Sequence, residues 1–209
     1  MRGSLLGLAL LGLLLPACAT GPDPSAFRNE VFYASGRVNA TNRSQFESFY
    51  PPFDLPVRAP GYLGVGVLQG SVHLSRPKDW VIRSASNTPH DRFIEYASPN
   101  EYVVAIHERL ESPGDTWSTV LDRYEKDLER TGAKALGKGV PVASFHNQGR
   151  AFSVERPVPA PKTPLVGKSR EYLFRGEDRI VLVQIVFTRD SLDPIADELV
   201  PVLDSFKVD

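Results

Sequence analysis

Alternating apolar and polar positions predict a β-hairpin over residues 91–111. Its second strand reads YVVAIH from Tyr102, and successive side chains of a strand point to opposite faces. Apolar residues occupy both sets of positions, so we expect this strand to be covered on both sides. The segment 98–101 reads SPNE and predicts the turn, because proline suits the first central position of a β-turn.

A second hairpin is predicted over residues 169–188, with its turn at 176–178. The strand 180–187 that follows this turn is almost wholly apolar, which is typical of a central strand. Two short strands are predicted on either side of the turn at 77–79, and one more strand at 149–158.

Two amphipathic helices follow the two hairpins. The first has an apolar stripe at helical spacing and a cap at Asp115 or Thr116, with Gly132 just past its end. Its stripe consists of Trp117, Val120, Leu121, Tyr124 and Leu128. The second begins at Asp193 and Pro194. Its stripe consists of Ile195, Leu199, Val202, Leu203 and Phe206. Pro201 lies inside this helix, where we expect a kink or an early break.

The order of elements, a hairpin and then a helix, twice, predicts an α+β fold. We expect an antiparallel sheet with helices packed on it over residues 61–209. Residues 18–60 are predicted to be a tether and an aromatic-rich segment. Phe46, Phe49, Tyr50 and Phe53 leave three alternatives open for that segment: docking on the domain, binding a partner, or disorder.

The first 17 residues have the features of a secretory signal peptide. Arg2 provides positive charge, and residues 5–15 form an apolar run of eleven residues. A helix of that length spans about 16 Å, roughly half of a hydrocarbon core. The run ends in LPAC, which is similar to the lipobox of bacterial lipoproteins, although Pro16 departs from the usual pattern. The resemblance implies cleavage before Cys18, attachment of diacylglycerol to its sulfur, and acylation of its amine. With Ala19 next, it implies sorting to the outer membrane.

Cys18 is the only cysteine, so its lipidation would leave the folded domain without a thiol. Loss of residues 1–17 removes one arginine and no acid, which moves the net charge from −1 to −2. A balance this close to neutral argues against a nucleic-acid partner. No apolar run after Ala17 approaches the length of a transmembrane helix.

The sequence offers no catalytic or metal-binding motif. His73, His90, His107 and His146 have no metal-ligand spacing, and we expect structural or surface roles for them. No serine nucleophile elbow occurs. VGKS at 166–169 lacks the first glycine and the following helix of a phosphate-binding loop, and the Gly-rich stretch 61–70 lacks the third glycine of a dinucleotide motif. We therefore expect no enzyme activity, no metal and no cofactor apart from the lipid on Cys18.

The segment RPVPAPKTPLVGK, which begins at Arg156, is rich in proline. Four prolines favour an extended, polyproline-like path with few internal hydrogen bonds. The segment is either a stiff connector or a preformed recognition loop for a protein partner. In the second case, the positive charges of Arg156 and Lys162 would steer an acidic partner. The candidate partner-binding residues are Arg156, Pro157, Pro159, Pro161, Lys162 and Pro164.

Over about residues 70–209, the order of elements resembles a known fold family. It includes the photosystem protein PsbP, the Ran-binding protein Mog, and bacterial envelope lipoproteins such as DcrB and LpqN. The matching motifs are RPKDW, with Trp80 at its end, and LDSF at 203–206. The resemblance implies an α-β-α sandwich and a binding or accessory role, mostly without catalysis.

Together these features predict a non-catalytic lipoprotein anchored in the outer membrane and facing the periplasm. We expect it to act as an adaptor or assembly factor in a cell-envelope complex that serves secretion, motility or envelope maintenance. The alternative is a binder of a small apolar or amphiphilic ligand between sheet and helix. Such a pocket requires small residues beside a void, and Ala105 and Ala151 are the only hints of one.

Overall fold

A computed structural model describes seven segments: residues 46–49, 60–88, 91–111, 114–144, 146–158, 165–187 and 193–209. The fold is built on a large antiparallel sheet with the strand order β4-β5-β6-β11-β10-β9-β7, in which β8 also pairs with β9. Its strands are β4 (Val81–Thr88), β5 (Asp91–Ala97), β6 (Tyr102–Leu110), β7 (Lys134–Ala135), β8 (Val140–Ala143), β9 (Gln148–Val158), β10 (Leu165–Arg175) and β11 (Arg179–Phe187).

A smaller antiparallel sheet has the strand order β1-β2-β3-β12. Its strands are β1 (Glu47–Phe49), β2 (Tyr62–Val67), β3 (Val72–Pro77) and β12 (Lys207–Val208). A turn of 3-10 helix, Leu68–Gly70, connects β2 to β3. The two helices are α1 (Trp117–Arg130) and α2 (Asp193–Asp204).

The large sheet has a separate apolar cluster on each face. Alternate residues of β11 point to opposite faces, so Leu182 packs with α1 whereas Val183 packs with the small sheet and α2. Residues 181–187 of β11 are all buried, as expected for a central strand. The helices therefore cover opposite faces of an antiparallel sheet, which confirms the predicted α+β class. The small sheet is an additional layer that the periodicity did not predict.

Both predicted hairpins and both predicted helices are present. Helix α1 is capped by Thr116, whose hydroxyl accepts a hydrogen bond from Thr119 N at 3.2 Å. It is followed by Gly132 at φ +69°, a conformation that glycine adopts without strain. The strands predicted on either side of residues 77–79 are also present, although β3 and β4 belong to different sheets.

Two predictions about chain boundaries need correction. The domain was expected to begin at residue 61, but β1 pairs with β2, and Phe46 packs against the core. For Phe46, this favours docking on the domain over the other two alternatives. The expected early break at Pro201 does not occur, because α2 continues to Asp204. The buried side chains of Leu199 and Val202 hold the helix on both sides of the proline.

Candidate functional site

A cleft of about 300 Å³ lies between α1 and the large sheet. Its floor consists of Leu173 from β10 and of Ile180 and Leu182 from β11, whose alternation brings these residues to the face that α1 covers. Val120 and Tyr124 of α1 line it from the other side. The interior is therefore mainly apolar, and its volume is at the low end of that of small-molecule pockets.

Charged side chains from two elements form the rim of the cleft. Arg109 of β6 forms an ion pair with Asp127 of α1, which connects the strand to the helix across the cleft. Arg123 pairs with Asp115, just before α1 begins. Lys126, also on the rim, has no ion-pair partner among the described residues. The cleft thus combines an apolar interior with a charged edge, which suits an amphiphilic molecule.

Glu111 lines the same cleft, and one of its buried oxygens has no hydrogen-bond partner among the described residues. Its side chain is only 7% exposed, and its Oε2 accepts a hydrogen bond from Arg175 Nη2 at 2.8 Å. Its Oε1 has no hydrogen-bond partner in the part of the chain that the structure describes. Because an unpaired buried acceptor is costly, Glu111 favours a ligand that carries a hydrogen-bond donor.

A buried polar cluster lies behind the cleft and is centred on Glu171, which is fully buried. Arg156 donates to Glu171 Oε1 through Nη2 at 2.5 Å and Nε at 3.1 Å. Ser169 and Gln184 donate to the same oxygen at 2.9 and 3.1 Å. This carboxylate is well compensated, because one oxygen accepts from three side chains.

Tyr124 connects the cleft to this cluster. Its hydroxyl donates to Glu171 Oε2 at 2.8 Å, so α1 is hydrogen-bonded to the middle of the sheet. Burial, together with the nearby negative charge of Glu171, raises the pKa of Tyr124 well above its usual range. The hydroxyl therefore keeps its proton and acts as a permanent donor, which fixes one side of the cleft.

The structure corrects the role predicted for Arg156. Its side chain is 5% exposed and bound to Glu171, so it cannot steer a partner from the surface. Pro157 is exposed, but it belongs to β9 and lies opposite Val166 of β10. The other candidates of the proline-rich segment, Pro159, Pro161, Lys162 and Pro164, lie outside the described residues, as does Cys18. The prediction of a recognition loop is untested for them.

The histidines in the described segments do not converge on one place. His73 contacts the Asp209 carboxylate at 2.9 Å, whereas His107 is buried and stacks on Phe93. His146 is exposed, and His90 lies outside the described residues. In the described parts of the chain, no group of three or more His, Cys, Asp or Glu side chains is placed to hold a metal ion.

A second buried centre joins the two sheets. Arg76 of β3 donates to both oxygens of Glu47 of β1, through Nε and Nη2, each at 2.7 Å. Tyr96 of β5 donates to Glu47 Oε2 at 2.6 Å, and burial, together with the Glu47 charge, raises its pKa well above the usual range. All three residues are buried. This centre fastens β1 to the core, so it does not form a ligand site.

The two short motifs behind the family resemblance have structural roles. Trp80 is 1% exposed and donates through Nε1 to Glu198 of α2 at 2.6 Å. Ser205 accepts a hydrogen bond from Ser75 N at 2.7 Å, and Phe206 is fully buried. Both motifs thus attach α2 and the end of the chain to β3 and the turn that follows it.

Sequence reasoning missed the residues of the cleft. Asp127 lies outside the apolar stripe of α1, and nothing in the sequence distinguishes it from the other acids of this helix, yet it pairs with Arg109. Of the two alanines that hinted at a void, Ala105 is buried but does not line the cleft, and Ala151 lines a different groove. The only signal in the sequence is the apolar stripe of α1. It identifies the face of the helix that packs on the sheet but does not indicate that a cleft remains between them.

Comparison with protein-family models and with curated proteins finds no match. Solved structures do match. The PsbP protein CyanoP of Synechocystis sp. PCC 6803 aligns with a TM-score of 0.54 at 11% identity, over 74% of this chain and 96% of that one. The Ran-binding protein Mog1p of Saccharomyces cerevisiae aligns with a TM-score of 0.46 at 12% identity, over 70% and 95% of the two chains. The chain therefore has a PsbP-like fold, and at these identities the likeness shows the fold alone. No helix among the described residues is long and apolar enough to span a membrane.

Proposed function

We propose that this protein is a non-catalytic lipoprotein of the bacterial outer membrane and acts as an adaptor or assembly factor in a cell-envelope complex. The observation that carries the proposal is LPAC at 15–18, because it contains the only cysteine and directly follows an apolar run of signal-peptide length. Lipids on the sulfur and the amine of Cys18 are sufficient for stable anchoring, since two anchoring signals already hold a protein on a membrane.

Cys18→Ser tests the anchor. We expect labelled palmitate incorporation to be lost and the precursor to accumulate, because the thioether cannot form without the sulfur. Ser25→Ala, in the same part of the chain, serves as the control and should leave labelling unchanged. Ala19→Asp should leave labelling intact but move the protein to the inner-membrane fraction. Labelling of Cys18→Ser at the wild-type level would falsify the proposed anchor.

A second candidate function is binding of a small amphiphilic ligand in the cleft under α1. The observation that favours it is the combination of an apolar floor, a charged rim and the Oε1 of Glu111, which has no hydrogen-bond partner among the described residues. A completely filled interface between helix and sheet would have argued against this function. A small ligand with an apolar body and a hydroxyl or ammonium head would fill the space and donate to Glu111.

Titration with decanol, decylammonium and decanoate tests the second candidate. The protein is the full chain carrying Cys18→Ser, so that its own acyl chains do not compete. We expect the two donor-bearing probes to bind more tightly than decanoate, and Glu111→Gln to reduce the binding of decylammonium at least tenfold. Val120→Trp should block all binding, whereas Val200→Trp, at an exposed position of α2, should not. Absence of binding by all three probes would rule out this function.

A further inference from the structure

A groove of about 350 Å³ lies on the other face of the large sheet, near its β7–β8 edge. Leu136, Val140, Val142 and Tyr172 give it an apolar lining, and Lys138 and Arg170 add positive charge. Leu136 is 52% exposed and Val140 is 61% exposed, and because both line the same groove they form an apolar patch rather than isolated exposed side chains. Among the described residues, the other two large hydrophobic side chains of similar exposure are Val81 and Val200, neither of which lines the groove.

The loop that presents Leu136 is held in place by the sheet. Leu136 N donates to Ser153 O at 2.8 Å. Gly139 lies so close to the Phe152 ring that an added Cβ would be 2.4 Å from a ring carbon, so only glycine permits this approach. Both contacts fix the loop before any partner arrives. The exposed leucine is therefore preorganised, and docking against it requires less ordering of the protein.

The charges of the groove all have one sign. None of the described residues that line it is acidic, and both cations are exposed. Lys138 and Arg170 have no ion-pair partner among the described residues, whereas Arg109, Arg175 and Arg179 are all paired with acids. An acidic partner would therefore complement the rim, and its apolar side chains would cover Leu136 and Val140.

The edge of the sheet disfavours one mode of docking. Beside the groove, a partner strand would have to hydrogen-bond to β7 or β8, but β7 has only two residues, and Pro141 removes a backbone donor from β8. Recognition through side chains is the mode that remains. We propose that this groove docks a segment of another envelope protein in which apolar residues are interspersed with Asp or Glu. The proposal rests on the adaptor function and names the surface through which that function operates.

Site-specific photo-crosslinking in cells tests the proposal on the full-length, lipidated chain. A photoreactive amino acid at position 136 or 140 should give a discrete adduct with a protein partner, whereas the same label at the equally exposed positions 81 and 200 should not. Mass spectrometry of the adduct should identify a peptide rich in Asp or Glu and in apolar residues. The double variant Lys138→Glu and Arg170→Glu should reduce the adduct at least tenfold, and Lys78→Glu, in an exposed turn, should have no effect.

A synthetic copy of the crosslinked peptide completes the test. Its binding to the purified chain, followed by fluorescence anisotropy, should weaken at least tenfold on Arg170→Glu while the circular dichroism spectrum stays unchanged. A basic peptide, a second copy of this chain as the adduct, or an adduct insensitive to charge reversal would each overturn the proposal. No adduct in cells that still incorporate palmitate at Cys18 would reject the groove but leave the lipid anchor intact. Loss of palmitate incorporation with the adduct retained would reject the lipid anchor but support the groove as a docking surface.

Discussion

The two faces of the large sheet carry two buried centres of the same chemistry. Each consists of an arginine, a glutamate and a tyrosine: Arg156, Glu171 and Tyr124 on the α1 side, and Arg76, Glu47 and Tyr96 on the side of the small sheet. In both, the guanidinium and the phenol donate to one carboxylate. In both, burial raises the pKa of the tyrosine. The chemistry alone therefore does not distinguish their roles.

The position of the glutamate in the chain is the main difference. Glu171 lies within the eleven residues of β10, between β9 and β11, so its backbone cannot move without disrupting the large sheet. Glu47 lies in a three-residue strand at the edge of the small sheet. The first centre fixes α1 and the wall of the cleft. The second attaches β1 to the domain, and β1 follows the proposed lipid anchor in the chain. The same three residue types thus build a rigid wall of the cleft around Glu171 and attach an edge strand through Glu47.

Removal of the central carboxylate should have the largest effect. We expect Glu171→Ala to reduce the free energy of unfolding by about 3–5 kcal/mol, because it leaves the Arg156 charge buried without a partner. Glu177→Ala, at an exposed turn, should change the free energy by less than about 0.5 kcal/mol. Urea unfolding followed by circular dichroism measures both. A loss below about 1 kcal/mol for Glu171→Ala would mean that water reaches Arg156 and that the centre is not rigid.

The double variant Glu171→Met and Arg156→Met sharpens this result. Both charges leave together, so much of the loss should be recovered, as is common when a buried ion pair is replaced by apolar residues. Recovery would show that the cost of the single variant comes from an uncompensated charge. If the double variant is as unstable as Glu171→Ala, the hydrogen bonds to Tyr124 and Gln184 matter more than the pair itself.

Glu47→Ala should have a smaller global effect than Glu171→Ala. We expect a loss of about 1–3 kcal/mol, because a short edge strand can detach and let water reach Arg76. Arg76 also keeps its bonds to Pro77 O and Trp80 O, at 2.7 and 3.3 Å. Hydrogen exchange should show loss of protection confined to β1 and the facing edge of β2. Lys78→Ala, in the exposed turn after β3, is the control. A loss equal to that of Glu171→Ala would make β1 an integral part of the core and remove the contrast.

Most of the large sheet and both helices could be predicted, because their apolar periodicity is local. The small sheet could not, since β1 depends on the pairing of Glu47 with an arginine 29 residues away. The cleft could not be predicted either, because Arg109 and Asp127 meet only when α1 packs across β6 and β11. Arg156 is different. Phe152, Val154 and Arg156 alternate along β9, so its inward direction was available from the sequence, but the neighbouring prolines suggested a surface loop.

The two tyrosines give the smallest expected effect at neutral pH, and one that grows at high pH. Each hydroxyl makes one hydrogen bond to a buried carboxylate, so Tyr124→Phe and Tyr96→Phe should each reduce the free energy of unfolding by about 1 kcal/mol.

A tyrosine of the unfolded chain ionises near pH 10, whereas the raised pKa keeps the folded ones protonated. Above about pH 10 the unfolded state therefore binds fewer protons than the folded state, and stability falls as the pH rises. The slope approaches about 1.4 kcal/mol per pH unit for each buried tyrosine. Thermal unfolding from pH 8 to pH 11.5 should thus be less steep for the double variant Tyr96→Phe and Tyr124→Phe, with Tyr102 and Tyr172 accounting for part of what remains. If only Tyr124→Phe reduces the slope, Tyr96 is exposed through detachment of β1 before the domain unfolds, and the contrast between the two centres extends to their behaviour in base.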